Sequence, residues 1–251
     1  MKRLILSILF ILCLSFQASA WNIMVVGSGK GTTPPAGCGG TLTFVGNPGD
    51  TETFEFEAGD FCCTEFSETD PDTIISTYNQ TQVKNGSYAA QLNFSGVNQN
   101  DNYISVDLGV AGDTDFTIDF WVWVSDVDDN EGVNIFYLSD TTAGSCTTCV
   151  SLYWLHAGTG VWQLRIYGDA DSETSSNLTT EAWYRIEIDF NLSAATTAEI
   201  YNSSDVLQGT ITATGYGGTV RYPWWGHAAS DADATVFYID DVRYKSGGGG
   251  F

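Results

Sequence analysis

Phe116 to Val124, FTIDFWVWV, constrains this chain more than any other stretch. Phe116, Ile118, Phe120, Val122 and Val124 alternate with Thr117, Asp119, Trp121 and Trp123, and a period of two belongs to a β-strand. Successive strand side chains point to opposite faces. The first set therefore predicts an apolar core face, and the second presents an acid and two indoles to whatever lies on the other side. Other runs that read as strands occur at 54–57, 73–78, 88–94, 102–108, 133–138, 150–156, 161–167, 183–190, 198–201, 208–213 and 235–244, separated by Gly, Asp, Asn and Ser. Asn85-Gly86 favours a hairpin turn because both residue types tolerate positive φ. No convincing amphipathic helix interrupts the series. Strands at this spacing predict an all-β fold, an antiparallel two-sheet β-sandwich (jelly roll) over residues 54–245.

The chain opens with Lys2 and Arg3, an apolar run from Leu4 to Phe16, and the small residues Ala18 and Ala20. That is the pattern of a secretory signal cleaved after Ala20, and the apolar run is too short to span a bilayer. Cys13 is no lipoprotein anchor, since Ile11 and Leu12 stand where a small residue is required. The expected organisation is a signal peptide over 1–20, a Gly/Pro/Thr-rich lead-in over 21–53, the sandwich, and a Gly-rich tail over 246–251. The expected destination is secreted, cell-surface or periplasmic.

The formal net charge is −22, from 9 basic and 31 acidic residues. Such a surface repels phosphate backbones and anionic lipid heads, which argues against nucleic acid and membrane surfaces as partners. Cys38, Cys62, Cys63, Cys146 and Cys149 remain after cleavage, and in an exported chain they predict disulfides: Cys146 with Cys149, and Cys38 with Cys62 or Cys63. Gly29-Lys30 superficially suggests a phosphate loop. Met24 and Gly31, however, occupy the positions where that loop needs a glycine and a hydroxyl residue.

The order of short motifs is distinctive: FEAG (Phe56 to Gly59), KNGSYAAQL (Lys84 to Leu92), FTIDFWVWV, IFYLSD (Ile135 to Asp140), WYRIEIDF (Trp183 to Phe190), IYN (Ile200 to Asn202) and FYIDDVRY (Phe237 to Tyr244). Together they resemble concanavalin A-like lectin/glucanase jelly rolls of the laminin G type. The FEAG opening and the YIDDV ending also resemble the galactose-binding-like jelly rolls of carbohydrate-binding modules. Either resemblance implies a two-sheet sandwich. It also implies a structural calcium tying the first strand to the last, through Glu57 and through Asp240 or Asp241, with backbone carbonyls completing about six to eight oxygens.

A ligand site is expected in the glycine-rich segment from Gly215 to Ser230, where Tyr216, Arg221, Tyr222, Trp224, Trp225 and His227 crowd together. Indole faces stack on the C–H faces of sugars, and Arg or His donors grip hydroxyls, so these residues predict binding of a neutral glycan or cell-surface polysaccharide. One of the two tryptophans is expected to plug an end of the sandwich instead. Trp121 and Trp123 are lesser candidates, because a second layer commonly covers that face.

Catalysis is not expected. Glu187-Ile188-Asp189 resembles the carboxylate strand of laminarinase-type glucanases, but Asn191 and Leu192 stand where those enzymes place a third acid, and a glycosidase needs two carboxyl groups flanking one bond. Arg185, on the same face as Glu187, reads as its charge partner. A purely adhesive surface sandwich is the rival reading, and a glycoside hydrolase or a jelly-roll polysaccharide lyase using Tyr and His is the further alternative.

Overall fold

The computed structural model describes residues 51–54, 66–69, 75–79, 81–94, 103–108, 113–125, 132–140, 149–168, 171–214, 216, 218–226 and 235–251. In chain order the strands are β1 (Thr51–Phe54), β2 (Phe66–Thr69), β3 (Ile75–Asn79), β4 (Ala89–Phe94), β5 (Tyr103–Val106), β6 (Asp115–Val124), β7 (Gly132–Ser139) and β8 (Cys149–Gly158). They continue with β9 (Val161–Tyr167), β10 (Ser172–Thr174), β11 (Leu178–Thr179), β12 (Trp183–Asn191), β13 (Thr196–Asn202), β14 (Leu207–Ala213), β15 (Tyr222–Gly226) and β16 (Thr235–Ser246). No helix is present among the described residues.

Sheet A runs β14-β13-β12-β6-β16-β4-β3, with β1 also paired to β16; sheet B runs β10-β9-β8-β7-β15-β5-β2, with β11 also paired to β9. Every pairing is antiparallel. The protein is therefore the expected all-β two-sheet sandwich.

The alternation in β6 works as its sequence implies. Phe116, Ile118, Phe120, Val122 and Val124 are fully buried in the core between the sheets. Phe120 meets Phe136 of β7 at 5.1 Å between centroids and Trp225 of β15 edge-on at 5.6 Å, so rings from both sheets interlock around the middle of β6. Each such side chain contributes about 1.5–3 kcal/mol on leaving water, which is why the central strand fixes the register of its neighbours β12 and β16.

Two local features position the site. In β16 the register with β6 shifts between Asp240 and Arg243, and Asp241 adopts φ 49° at the bulge. The extra residue reverses which parity faces outward. Val242 and Tyr244 enter the core, while Arg243 and Lys245 stand on the outward face, opposite Asp119 and Thr117.

The second feature closes one side of the sandwich, where β14 of sheet A lies beside β10 of sheet B. Glu173 accepts the Thr212 backbone N–H at 2.8 Å, and Asp171 accepts that of Thr214 at 2.6 Å. The acids occupy donors that an open edge would otherwise offer to another strand.

Candidate functional site

The outward face of sheet A is built around a buried acid. Asp119 lies on β6 between Glu187 of β12 and Arg243 of β16 in the cross-strand register. Its side chain is 1% exposed, and two guanidinium groups close on it. Arg185 donates from Nη1 to Asp119 Oδ2 at 3.0 Å, and Arg243 donates from Nε to Asp119 Oδ1 at 2.9 Å with a second bond from Nη2. Burial raises the Asp119 carboxyl above its ordinary value, against the pull of Arg243 and Arg185.

Arg185 also donates to Glu187 at 2.6 Å and to Asp205, on the β13–β14 turn, at 3.0 Å. Burial on its own would lower the Arg185 guanidinium, but the bonds to Glu187, Asp205 and Asp119 more than offset it and hold the group charged. Its plane lies 4.1 Å from the centre of the Tyr201 ring, a further cation–π contact.

Beside this network is a cavity of about 470 Å³. It is lined by Lys84, Asn85, Trp121, Arg185, Asp205, Asp241, Arg243 and Phe251. Lys84 Nζ sits 3.9 Å from the centre of the Trp121 ring, and its nearest polar contact is the Ser203 carbonyl at 3.4 Å.

The Lys84 segment is pinned by Asp240. Oδ2 of Asp240 accepts the backbone N–H groups of Lys84 at 2.8 Å and Asn85 at 3.0 Å, while Oδ1 accepts that of Asp241 at 2.9 Å. Burial pushes Asp240 up to about 6, with those N–H bonds opposing the shift and the neighbouring Asp241 charge adding to it. Asn85 Nδ2 in turn donates to Asp241. The cavity is therefore lined by donors and acceptors whose positions are fixed by neighbours, and the Trp121 ring beside them is 7% exposed with the Lys84 ammonium over it.

The residues singled out in 215–230 are not gathered on one open surface. The expectation of a single aromatic loop is corrected for 222–226, which form strand β15 between β5 and β7. Trp224 and Trp225 are 1% and 0% exposed, so neither presents the free face that sugar stacking needs. Trp225 points into the core. Trp224, one residue earlier, points to the outward face of sheet B and stacks on Tyr137 at 3.9 Å with the planes 6° apart. Tyr216 is buried edge-on against Phe190. Arg221 grips Asp107 through Nε at 2.8 Å and Nη2 at 2.7 Å, with Tyr222 beneath its guanidinium. His227 lies outside the described residues.

Glu57 and four of the cysteines, Cys38, Cys62, Cys63 and Cys146, also lie outside the described residues. Among those described, no group of three or more His, Cys, Asp or Glu side chains is placed to hold a metal ion. Of the acids that the resemblance assigns to a calcium, Asp240 accepts three backbone N–H groups and Asp241 accepts the Asn85 side-chain amide.

Sequence reasoning missed Lys84, Asn85, Asp205 and Arg243. The outward set of β6 and the Arg185/Glu187 alternation of β12 were the available signals. What converges on them is held by contacts as far apart in the chain as Lys84 and Asp240.

Fold and cavity define the class: an antiparallel two-sheet β-sandwich with a polar-walled hollow on the outward face of one sheet. Among solved structures, cellulose induced protein Cip1 shares this fold at a TM-score of 0.56 and 14% identity, over 78% of this chain and 97% of that one. A protein of unknown function from Shewanella oneidensis MR-1 matches at 0.55 and 13% identity, over 82% and 90% respectively. The receptor binding domain of botulinum neurotoxin type G matches at 0.50 and 12% identity, over 80% of this chain and 48% of that one, so this chain spans about half the length of that toxin structure. At such identities the likeness shows the fold alone. No family model matches the chain, and no curated protein matches it in sequence.

Proposed function

We propose that the chain is an exported, noncatalytic carbohydrate-binding sandwich that takes a neutral glycan in the cavity on sheet A. One observation carries this reading: a hollow of about 470 Å³ lined by Lys84, Asn85, Trp121, Arg185, Asp205, Asp241 and Arg243. Donors on Lys84, Asn85, Arg185 and Arg243 and acceptors on Asp205 and Asp241 suit a ligand rich in hydroxyl groups, and Trp121 beside them suits its C–H groups. A fold shared with a toxin's receptor binding domain is in keeping with a binding role. So is the sequence resemblance to concanavalin A-like lectins.

The test is an array of neutral glycans probed with the parent chain and two pairs of variants. Trp121→Ala and Asn85→Ala each lower affinity at least about tenfold, or about 1.4 kcal/mol. Arg221→Ala and Tyr222→Ala leave it within about twofold. The reverse pattern moves the site to the outward face of sheet B, and release of reducing ends or unsaturated sugars from any array member sinks the noncatalytic reading.

A further inference from the structure

Beyond β16 the backbone turns back and lies along the outward face of sheet A. Gly247 donates its N–H to the Asp115 carbonyl at 2.6 Å, Gly249 to Asp189 Oδ1 at 3.4 Å and Gly250 to Thr117 Oγ1 at 3.1 Å. Lys245 Nζ donates to the Gly250 carbonyl at 2.6 Å. Phe251 then rests with its ring 4.5 Å from the Arg243 guanidinium, at the rim of the cavity.

The glycines here are a requirement of the path. Gly247, Gly248, Gly249 and Gly250 all have positive φ, at 90°, 63°, 90° and 72°. A Cβ on Gly248 would stand 2.4 Å from Asp115 Oδ1, and one on Gly250 would stand 3.1 Å from Glu187 Oε1. Residues 247–251 therefore form a strap that fits this face because it has almost no side chains. Its hold is slight: a few hydrogen bonds, one of them long, and a phenylalanine left 42% exposed.

What the strap covers continues the cavity. In the register of β6 with β12, Trp121 stands opposite Arg185, Asp119 opposite Glu187, and Thr117 opposite Asp189. From Trp121 to Thr117 is about 13 Å along β6. The groups the strap uses are acceptors on Asp189 and Thr117 and a donor on Lys245, which can equally hold the hydroxyl groups of a saccharide.

We propose that the strap occupies the outer half of a longer groove, and that a neutral oligosaccharide displaces it and binds along β6, with one end over Trp121 and the rest over Thr117, Glu187 and Asp189. The inner half stays open to a short sugar, whereas the outer half is filled only by a chain long enough to compete with the strap. This inference rests on the glycan reading above.

The experiment compares the parent chain, a variant lacking residues 247–251, and Gly248→Val. The substitution disfavours the strap's path without shortening the chain, because a β-branched residue rarely adopts the φ of 63° that Gly248 holds. Calorimetry uses the dimer and hexamer of the β-1,4-, β-1,3- and α-1,4-glucose series, and thermal melting within a few degrees of the parent shows that each variant is folded. Both variants bind at least one hexamer about tenfold tighter than the parent does, a gain that exceeds any change in affinity for its dimer. If the dimer binds and neither variant gains for the hexamer, the strap inference falls while the glycan reading stands. If no sugar binds to any of the three proteins, both fall.

Discussion

The two outward faces of the sandwich are built from the same alternation and end in opposite states. On sheet A, Asp119, Arg185 and Arg243 satisfy one another's charges across three neighbouring strands, with a hollow beside Trp121. On sheet B, flat rings meet flat rings. Trp224 lies on Tyr137 with Tyr103 tilted against it at 5.3 Å, and the one prominent ion pair, Arg221 with Asp107, sits to the side. Alternation decides which way a side chain points. Whether that direction is open, hollow or sealed is decided by the shape and charge of the cross-strand neighbours.

The contrast is broken most directly at Trp224. If its role is packing, Trp224→Ala costs about 3–5 kcal/mol of stability, as for other large-to-small changes at buried aromatics, and leaves glycan affinity unchanged in whatever fraction stays folded. Urea denaturation reads the first quantity and calorimetry at low temperature the second. A variant as stable as the parent that has lost binding would restore the stacking role that sequence alone suggested for this residue.

On sheet A the matching change is Asp119→Ala. It leaves Arg243 without the carboxylate that takes both its Nε and Nη2 bonds, and leaves Arg185 with Glu187 and Asp205 alone. Removing one member of a buried charge network costs about 3 kcal/mol or more. Because Arg185 keeps its bond to the largely shielded Glu187, the expected loss is toward the lower end of that range. The same urea series measures it, and a loss under about 1 kcal/mol would mean that the network is ornamental to the fold.

Legibility in the sequence divides along the same line. β6, β9 and β12 show a clean period of two, and the sandwich follows from them. β15 was hidden because Tyr222-Pro223-Trp224-Trp225-Gly226 carries two breakers and two adjacent indoles that face opposite ways, so no alternation shows. Pro223 is tolerated there because the pairing with β5 begins only at Trp224, which leaves one neighbouring strand to satisfy.

The cavity was hidden for a different reason. A continuous strand through FYIDDVRY would put Asp240, Val242 and Tyr244 on one face. Only the bulge at Asp241 turns Arg243 outward toward Asp119, and nothing in the local sequence announces a single extra residue. Glycines 247–250 read as a featureless tail because their fitness for the path lies in carboxylates contributed by β6 and β12.

The smallest expected effect concerns how the Lys84 wall is tied to sheet A, and it separates the two faces by pH. Asp240 is pushed by burial from 3.8 to about 6, so between those values the folded chain keeps a proton that the unfolded chain releases. Its contribution to stability is therefore fully present below about pH 4, declines as pH rises, and is lost above about pH 6. Allowing for solvent near the cavity mouth, the decline amounts to about 2 kcal/mol. Asp171, at the sandwich edge, works with the opposite sign. The Thr214 N–H and hydroxyl hold its carboxylate below the ordinary value, so its contribution is present above about pH 4 and fades in stronger acid. Asp240→Asn removes the titrating group while keeping one carbonyl acceptor for the Lys84 segment. Chemical denaturation of parent and variant between pH 4 and 6.5 then shows the parent losing stability relative to the variant as pH rises, even though the variant starts lower for want of a second acceptor. Parallel curves across that interval would mean that Asp240 is ionised throughout, held so by its three N–H donors, and that the cavity wall is insensitive to pH.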